Sequence, residues 1–198
     1  KIMEMQNKLD RKKQILEAAL KIFIKKGYAK TTMDDIVILS GLSKGALYHY
    51  YKSKKDLFLD LIDHWEVYTF KNFYKKSSKS NSASDTIRLF GHNVLKTLKD
   101  KKIAYLAEVE FLSLSNHDID IKHRTQLLYD KLLNLFEKVV NKGIKQKEFK
   151  ELDTRTTAMF IIAVFQGINW FAIFEENSVS AENYIENSID LIINSISK

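Results

Sequence analysis

"SGLSKGALYHYYKSKKDLF", Ser40 to Phe58, sets a lone glycine, a Ser-Lys-Gly step, three tyrosines, a histidine and four lysines between two apolar helical stripes. A plain hydrophobic core needs none of these. Just upstream, Thr32 with Asp35 three residues on makes a capping-box-like start for a short helix through Met33, Ile36, Val37 and Ser40, which Gly41 ends. Ser43 then caps a second helix of barely two turns, Lys44 to Tyr50. Two short helices joined through a Gly-centred turn predict a helix-turn-helix, whose second helix enters a DNA major groove. Ile36, Val37, Leu42 and Leu47 fall where the pair must pack, and Gly41 where the chain must turn sharply, a place for a positive φ. An αα-corner in any bundle shares that backbone pattern but has no use for the polar groups that follow.

Those groups suit a polyanion. At the start of the second helix Ser43, Lys44 and Gly45 offer a hydroxyl, an ammonium and backbone amides with no large side chain in the way. One turn on, Tyr48, His49 and Tyr50 supply hydroxyl and imidazole donors for phosphates and base edges. Ala46 either meets a thymine methyl or gives clearance. Thr32 and Lys54 flank the set. Leu47 and Tyr51, four residues apart, turn inward, the Tyr51 hydroxyl needing only an exit to solvent.

Charge points the same way. The net charge is +7, yet residues 1–55 hold 13 Lys/Arg against 5 Asp/Glu while residues 56–198 hold 19 against 20. An excess confined to the first quarter marks a module that faces a polyanion. No cysteine occurs, which excludes disulfides and thiolate metal sites. The basic N-terminus leads into charged residues with no apolar h-region, so a cytoplasmic location is expected.

Proline is absent, strand-like alternation is scarce and apolar residues recur at helical spacing nearly throughout, so the expected fold is all-α with about nine helices. Ile15, Ala18, Ala19, Ile22 and Phe23 line a first helix beginning near Asp10 and ending by Gly27. Ser53 with Asp56 starts a fourth, which runs through Leu57, Phe58, Leu61, Ile62 and Trp65 to about Tyr74. The polar "KKSSKSNSAS", Lys75 to Ser84, reads as a loop. Five more helices are expected at about 85–99, 103–115, 119–145, 153–174 and 180–197, the last two separated by "EENSVS", Glu175 to Ser180. Residues 1–53 are expected to form the DNA-binding domain and 54–198 a ligand-binding and dimerisation domain, the helix from 54 to about 74 linking the two.

Ile15 to Phe58 closely resembles the N-terminal domain of the TetR family of bacterial transcriptional regulators. The marks are "F-x-x-x-G-Y" (Phe23, Gly27, Tyr28), "TT-x-x-x-I" (Thr31, Thr32, Ile36), "G-x-SKG-x-LY-x-Y" and "K-x-K-x-DLF". Val37 departs from the alanine common at that packing position, which implies a slightly wider helix crossing. "GIKQKEF", Gly143 to Phe149, is similar to a recurrent family element. The resemblance implies a regulator, commonly a repressor, released from a near-palindromic operator by a small-molecule inducer and dimerised through its last two helices. No cofactor is implied.

The apolar surplus in those helices is commonly an interface. Phe160, Val164, Phe171, Ile185, Ile189, Ile192, Ile193 and Ile196 are the expected dimer contacts. A helix buried inside its own domain is the alternative for the stretch from Ala158. Trp65, Tyr68, Phe73, Tyr105, Phe111, Phe165 and Trp170 either wall a pocket for a largely apolar effector or fill the core. Glu108 or Glu110, two apart and so on different faces, would meet a cationic one. A rival function, a metal-dependent hydrolase or metal sensor, rests on "NHDIDIKH" with His117, Asp118, Asp120 and His123, whose spacing matches no standard ligand pair. No HExxH, P-loop, GxSxG or nucleophilic cysteine is present, so an enzyme of the common classes is not expected. A basic amphipathic first helix lying on membrane would leave the turn at Gly41 unexplained, and no membrane partner is expected.

Overall fold

The computed structural model describes residues 2–77, 80, 82–174 and 179–198. Among them lie ten helices and no named strand: α1 (Ile2–Lys26), α2 (Met33–Ser40), α3 (Lys44–Tyr50), α4 (Lys54–Ser77), α5 (Ala83–Lys101), α6 (Ile103–Ser115), α7 (Ile119–Lys145), α8 (Thr154–Gln166), α9 (Asn169–Ile173) and α10 (Ala181–Ile196). The all-α fold is as expected. Parts of two expected breaks, residues 78, 79 and 81 of the Ser-rich stretch and residues 175–178 of the later one, lie outside the described residues.

Two expectations are corrected. The first helix starts at Ile2, eight residues before Asp10. No proline or glycine interrupts that lead-in, and a helix once nucleated extends cheaply through such residues. The single helix expected over 153–174 is two, broken at Gly167. The Tyr184 hydroxyl of α10 donates to the Val164 carbonyl, and across the break the backbone tightens to i−3 bonds, Gly167 to Val164 and Ile168 to Phe165, both at 3.1 Å. Gly167 permits this, since a Cβ there would collide with the Tyr184 hydroxyl oxygen.

The chain divides into two compact units. One comprises residues 1–66 with 107–125, the other 67–106 with 126–198. The first therefore reaches past the expected boundary at residue 53. It takes in the start of α4, the end of α6 and the start of α7, segments that no reading along the chain would join to the helix-turn-helix.

In the first unit Ile15, Ala19, Phe23, Ile36, Leu47, Leu57, Phe58 and Ile62 are at most 1 % exposed. Phe58 is the hub of its aromatic contacts, with ring centroids 5.2 Å from Phe23, 4.7 Å from Tyr28 and 5.5 Å from Phe111. The segment from α6 is also held by the Tyr28 amide, which donates to Glu110 at 2.9 Å.

The second unit is centred on Phe90 of α5, whose ring lies 4.8–5.4 Å from those of Phe70, Phe73, Phe136 and Phe165. The isoleucine face of α10 packs against α5, and ion pairs Arg88–Asp190 and Lys99–Glu182, with a His92–Glu186 contact at 3.2 Å, flank the seam. Glu148 closes the start of α5, accepting from the Ala83 and Ser84 amides and from both serine hydroxyls at 82 and 84. Partial burial pushes its carboxyl up, but these four bonds carry it below the usual range.

Candidate nucleic-acid interface

The turn is built as the spacing predicts. Thr32 and Asp35 form the full capping box at the start of α2, the Asp35 amide donating to the Thr32 hydroxyl at 3.1 Å and the Thr32 amide to the Asp35 carboxylate at 2.9 Å. Lys26 reaches the same carboxylate at 2.5 Å, and these bonds, the lysine's first, hold Asp35 down at about 2. Gly41 takes φ 68° as the C-cap of α2, and its amide donates to the Val37 carbonyl at 3.1 Å. Gln14 of α1 donates to the Ser40 carbonyl at 2.7 Å, fixing the turn to the first helix.

The two helices bury Ile36 and Leu47 completely and leave the opposite side bare. Ser43 caps α3, its hydroxyl accepting from the Ala46 amide at 3.2 Å. Thr32, Ser43, Lys44, Gly45, Tyr48 and His49 are exposed, while Ala46 and Tyr50 are half-buried. Nothing lies within 4 Å of where a Cβ on Gly45 would be, so another molecule's backbone can approach closely there. Eight of the nine expected DNA-facing residues are thus at least partly accessible, on α3 or beside its start and that of α2.

The ninth, Lys54, is engaged by the protein itself. Its ammonium donates to the carbonyls of Tyr28 at 2.7 Å, Thr31 at 2.9 Å and Ala29 at 3.3 Å, and lies 4.4 Å from the centre of the Tyr28 ring. Burial lowers its pKa. Lys54 closes the turn between α1 and α2, a role its place beyond the next cap did not suggest. Tyr51 is also more engaged than expected. Its buried hydroxyl donates to Asp60, which pairs with Lys12 at 2.9 Å; burial, then this carboxylate, push the phenol up. A partner sequence reasoning missed is Asp34, which holds Lys44 at 2.8 Å with both side chains more than half exposed. Its hydrogen bond and charge raise the lysine's pKa. An exposed pair of this kind is screened by solvent, contributes little to stability and is readily exchanged.

The other expected sites fare unevenly. Among the proposed pocket residues, Trp65, Glu108 and Phe111 are buried in the first unit, where Trp65 meets Phe111 edge-on at 6.2 Å. Tyr105 and Phe165 are core in the second unit, the Tyr105 hydroxyl donating to the Val94 carbonyl at 3.0 Å. Phe73 is likewise core, Tyr68 carries the Lys101 ammonium 3.8 Å over its ring, and Trp170 is 63 % exposed. Tyr105, Phe111 and Phe165 are therefore packing residues and Trp170 a surface one.

The dimer set splits as well. Ile185, Ile189, Ile192, Ile193 and Ile196 are 0–7 % exposed within the single chain, so this face is core rather than interface. Phe160 is exposed and Val164 and Phe171 half-buried, on the same two helices that expose Met159, Trp170 and Ile173, with Phe174 exposed just past α9. The rival metal cluster dissolves: Lys55 takes Asp118 at 2.9 Å and Asp120 at 2.5 Å, Asp118 also accepts from the amides that open α7, and His117 and His123 are exposed. Among the described residues no three metal-ligating side chains converge.

This architecture is a shared one. Residues 15–61 match the bacterial regulatory proteins of the tetR family, and residues 66–198 match the QacR-like protein C-terminal region. The chain belongs to the TetR family. It is a helix-turn-helix DNA-binding transcriptional regulator and not an enzyme. It is similar to the HTH-type transcriptional regulator YfiR of Bacillus subtilis, 27% identical over 186 residues that cover 92% of this chain and 90% of that protein. Its fold is similar to that of a protein described as a transcriptional regulator from Saccharomonospora viridis in complex with choline, with TM-score 0.84, 18% identity, and 96% and 98% of the two chains covered. It is also similar to that of the regulator FadR from Bacillus subtilis in complex with stearoyl-CoA, with TM-score 0.81, 18% identity, and 92% and 98% covered.

Proposed function

We propose that this chain is a cytoplasmic, homodimeric repressor in which each copy lays α3 into one half of a near-palindromic operator, and that a small molecule releases it. The observation that carries this is the bare polar face from Ser43 to Tyr50, held up by a rigid turn on a fully buried underside. Thr32, Ser43, Lys44 and Gly45 take phosphates, and Ala46, Tyr48, His49 and Tyr50 meet base edges or the adjoining backbone. A helix this short reads too few bases alone, so two copies are needed, with half-sites about 34 Å apart or a little more.

The contact between copies is assigned to α8 and α9. Met159, Phe160, Trp170, Ile173 and Phe174 are each 45–63 % exposed, more apolar surface than a lone soluble chain leaves bare on two short helices. For the effector, the choline and stearoyl-CoA bound by the two similar proteins differ so much in size and charge that neither transfers to this chain. The buried carboxyl of Glu108 is the group to test against a cationic ligand. Ligand binding favours a spacing of the two heads that cannot engage both half-sites, with a coupling of about 1–3 kcal/mol, or about 5- to 150-fold in affinity. Selection of bound duplexes from a random pool tests the proposal. An enriched inverted repeat is expected; a lone half-site or no enrichment contradicts it.

A further inference from the structure

We infer that Asp34 is a brake on DNA binding, holding the Lys44 ammonium in a protein ion pair that a DNA phosphate must displace. This rests on α3 being the DNA-facing helix. Asp34 is the second residue of α2 and Lys44 the first of α3, so the pair spans the turn at Gly41 on its outer, DNA-facing side. Three other carboxylates paired with lysines in this unit also hold the fold. Asp35 completes the capping box, Asp60 receives the buried Tyr51 hydroxyl, and Asp118 caps α7. Asp34 makes no cap and accepts no buried hydroxyl, its part in the fold being a favourable charge in the first turn of α2. Among the described residues its contact is Lys44, and the turn is already fixed by Gly41, Gln14 and the box.

The swap has a thermodynamic signature. The exposed pair is itself screened by salt, so the brake weakens as salt rises and offsets part of the loss of DNA affinity. Asp34→Asn is therefore expected to tighten binding to the selected operator and to a mixed-sequence duplex alike, by about fivefold at low salt. It is also expected to steepen the slope of log affinity against log salt by up to about one per head. Because the effect runs through Lys44, in the Lys44→Ala background the same substitution should gain less than about twofold.

Fluorescence anisotropy with the full chain and labelled duplexes measures all of these. Asp100→Asn, which removes a carboxylate paired with Lys96 in the other unit, is the control for net charge and should leave affinity unchanged. The inference is overturned if Asp34→Asn binds no tighter, if its gain survives intact in the Lys44→Ala background, or if Asp100→Asn gains as much. Should Lys44→Ala itself leave affinity unchanged, the DNA-facing assignment of α3 falls and this inference with it. If Lys44→Ala weakens binding while Asp34→Asn is neutral, only the brake is lost. Helicity and melting by circular dichroism check folding, and Asp34→Ser serves if the asparagine variant is unstable.

Discussion

Between Thr32 and Tyr50 the side chains that leave the core are mostly hydroxyls, charges and an imidazole, with Ile38 and Leu39 the apolar exceptions; between Thr154 and Phe174 many are methionine, phenylalanine and tryptophan. Both stretches are short paired helices with a glycine at the joint, and both bury their underside. Hydroxyls, a cation and free amides gathered at one helix start point to a partner of definite chemistry. An apolar group has two destinations, the chain's own interior or another chain's, and composition does not tell them apart.

The isoleucines of α10 and the aromatics of α8 and α9 make the point, and stability measurements can break or sharpen it. Ile189→Ala should cost about 2–5 kcal/mol in chemical denaturation, because the side chain is 1 % exposed and sits against α5 near Phe165. Phe160→Ser, at 47 % exposure, should change the stability of the single chain by about 0.5 kcal/mol or less while weakening self-association in sedimentation. If instead Ile189→Ala dissociates the protein without destabilising it, the two faces have been assigned the wrong way round.

Lys54 tests the comparison from the head's side, since it is a polar residue whose partner is the protein itself. Replacement with methionine removes three hydrogen bonds to carbonyls of the turn after α1, for an expected loss of about 2 kcal/mol. Under conditions where the variant stays folded, its DNA affinity should keep the wild-type salt slope. A slope reduced by about one would restore Lys54 to the phosphate contacts.

Acid gives the smallest effect. The Asp35 carboxyl is held at about 2 by Lys26 and Thr32, below its unfolded value. Its contribution is thus fully present above the ordinary carboxylate range and is lost as pH falls through about 2. Acid titration of helicity should show this contribution in the wild type and not in Asp35→Asn.

The helix-turn-helix was legible almost residue by residue, because caps, a turn glycine and a two-turn helix are local chemistry: Thr32, Gly41 and Ser43 each act within four residues of their own position. What was not legible is pairing at long range. The start of α1, with no breaker before it, gave no boundary. The break at Gly167 depends on the Tyr184 hydroxyl, 20 residues away from the carbonyl it meets, and the role of Lys54 on carbonyls 23–26 residues back. Asp34 lies in plain view in the first turn of α2, yet nothing in a linear reading sets it against Lys44.

Whether the bare face of α3 meets DNA is tested most directly by amide chemical shifts of the full chain, recorded as the selected duplex is added. The largest changes are expected at Thr32, Ser43, Gly45, Tyr48 and His49, with residues 154–174 little affected. Shifts concentrated in α8 and α9, with residues 43–50 unmoved at saturating duplex, would contradict it.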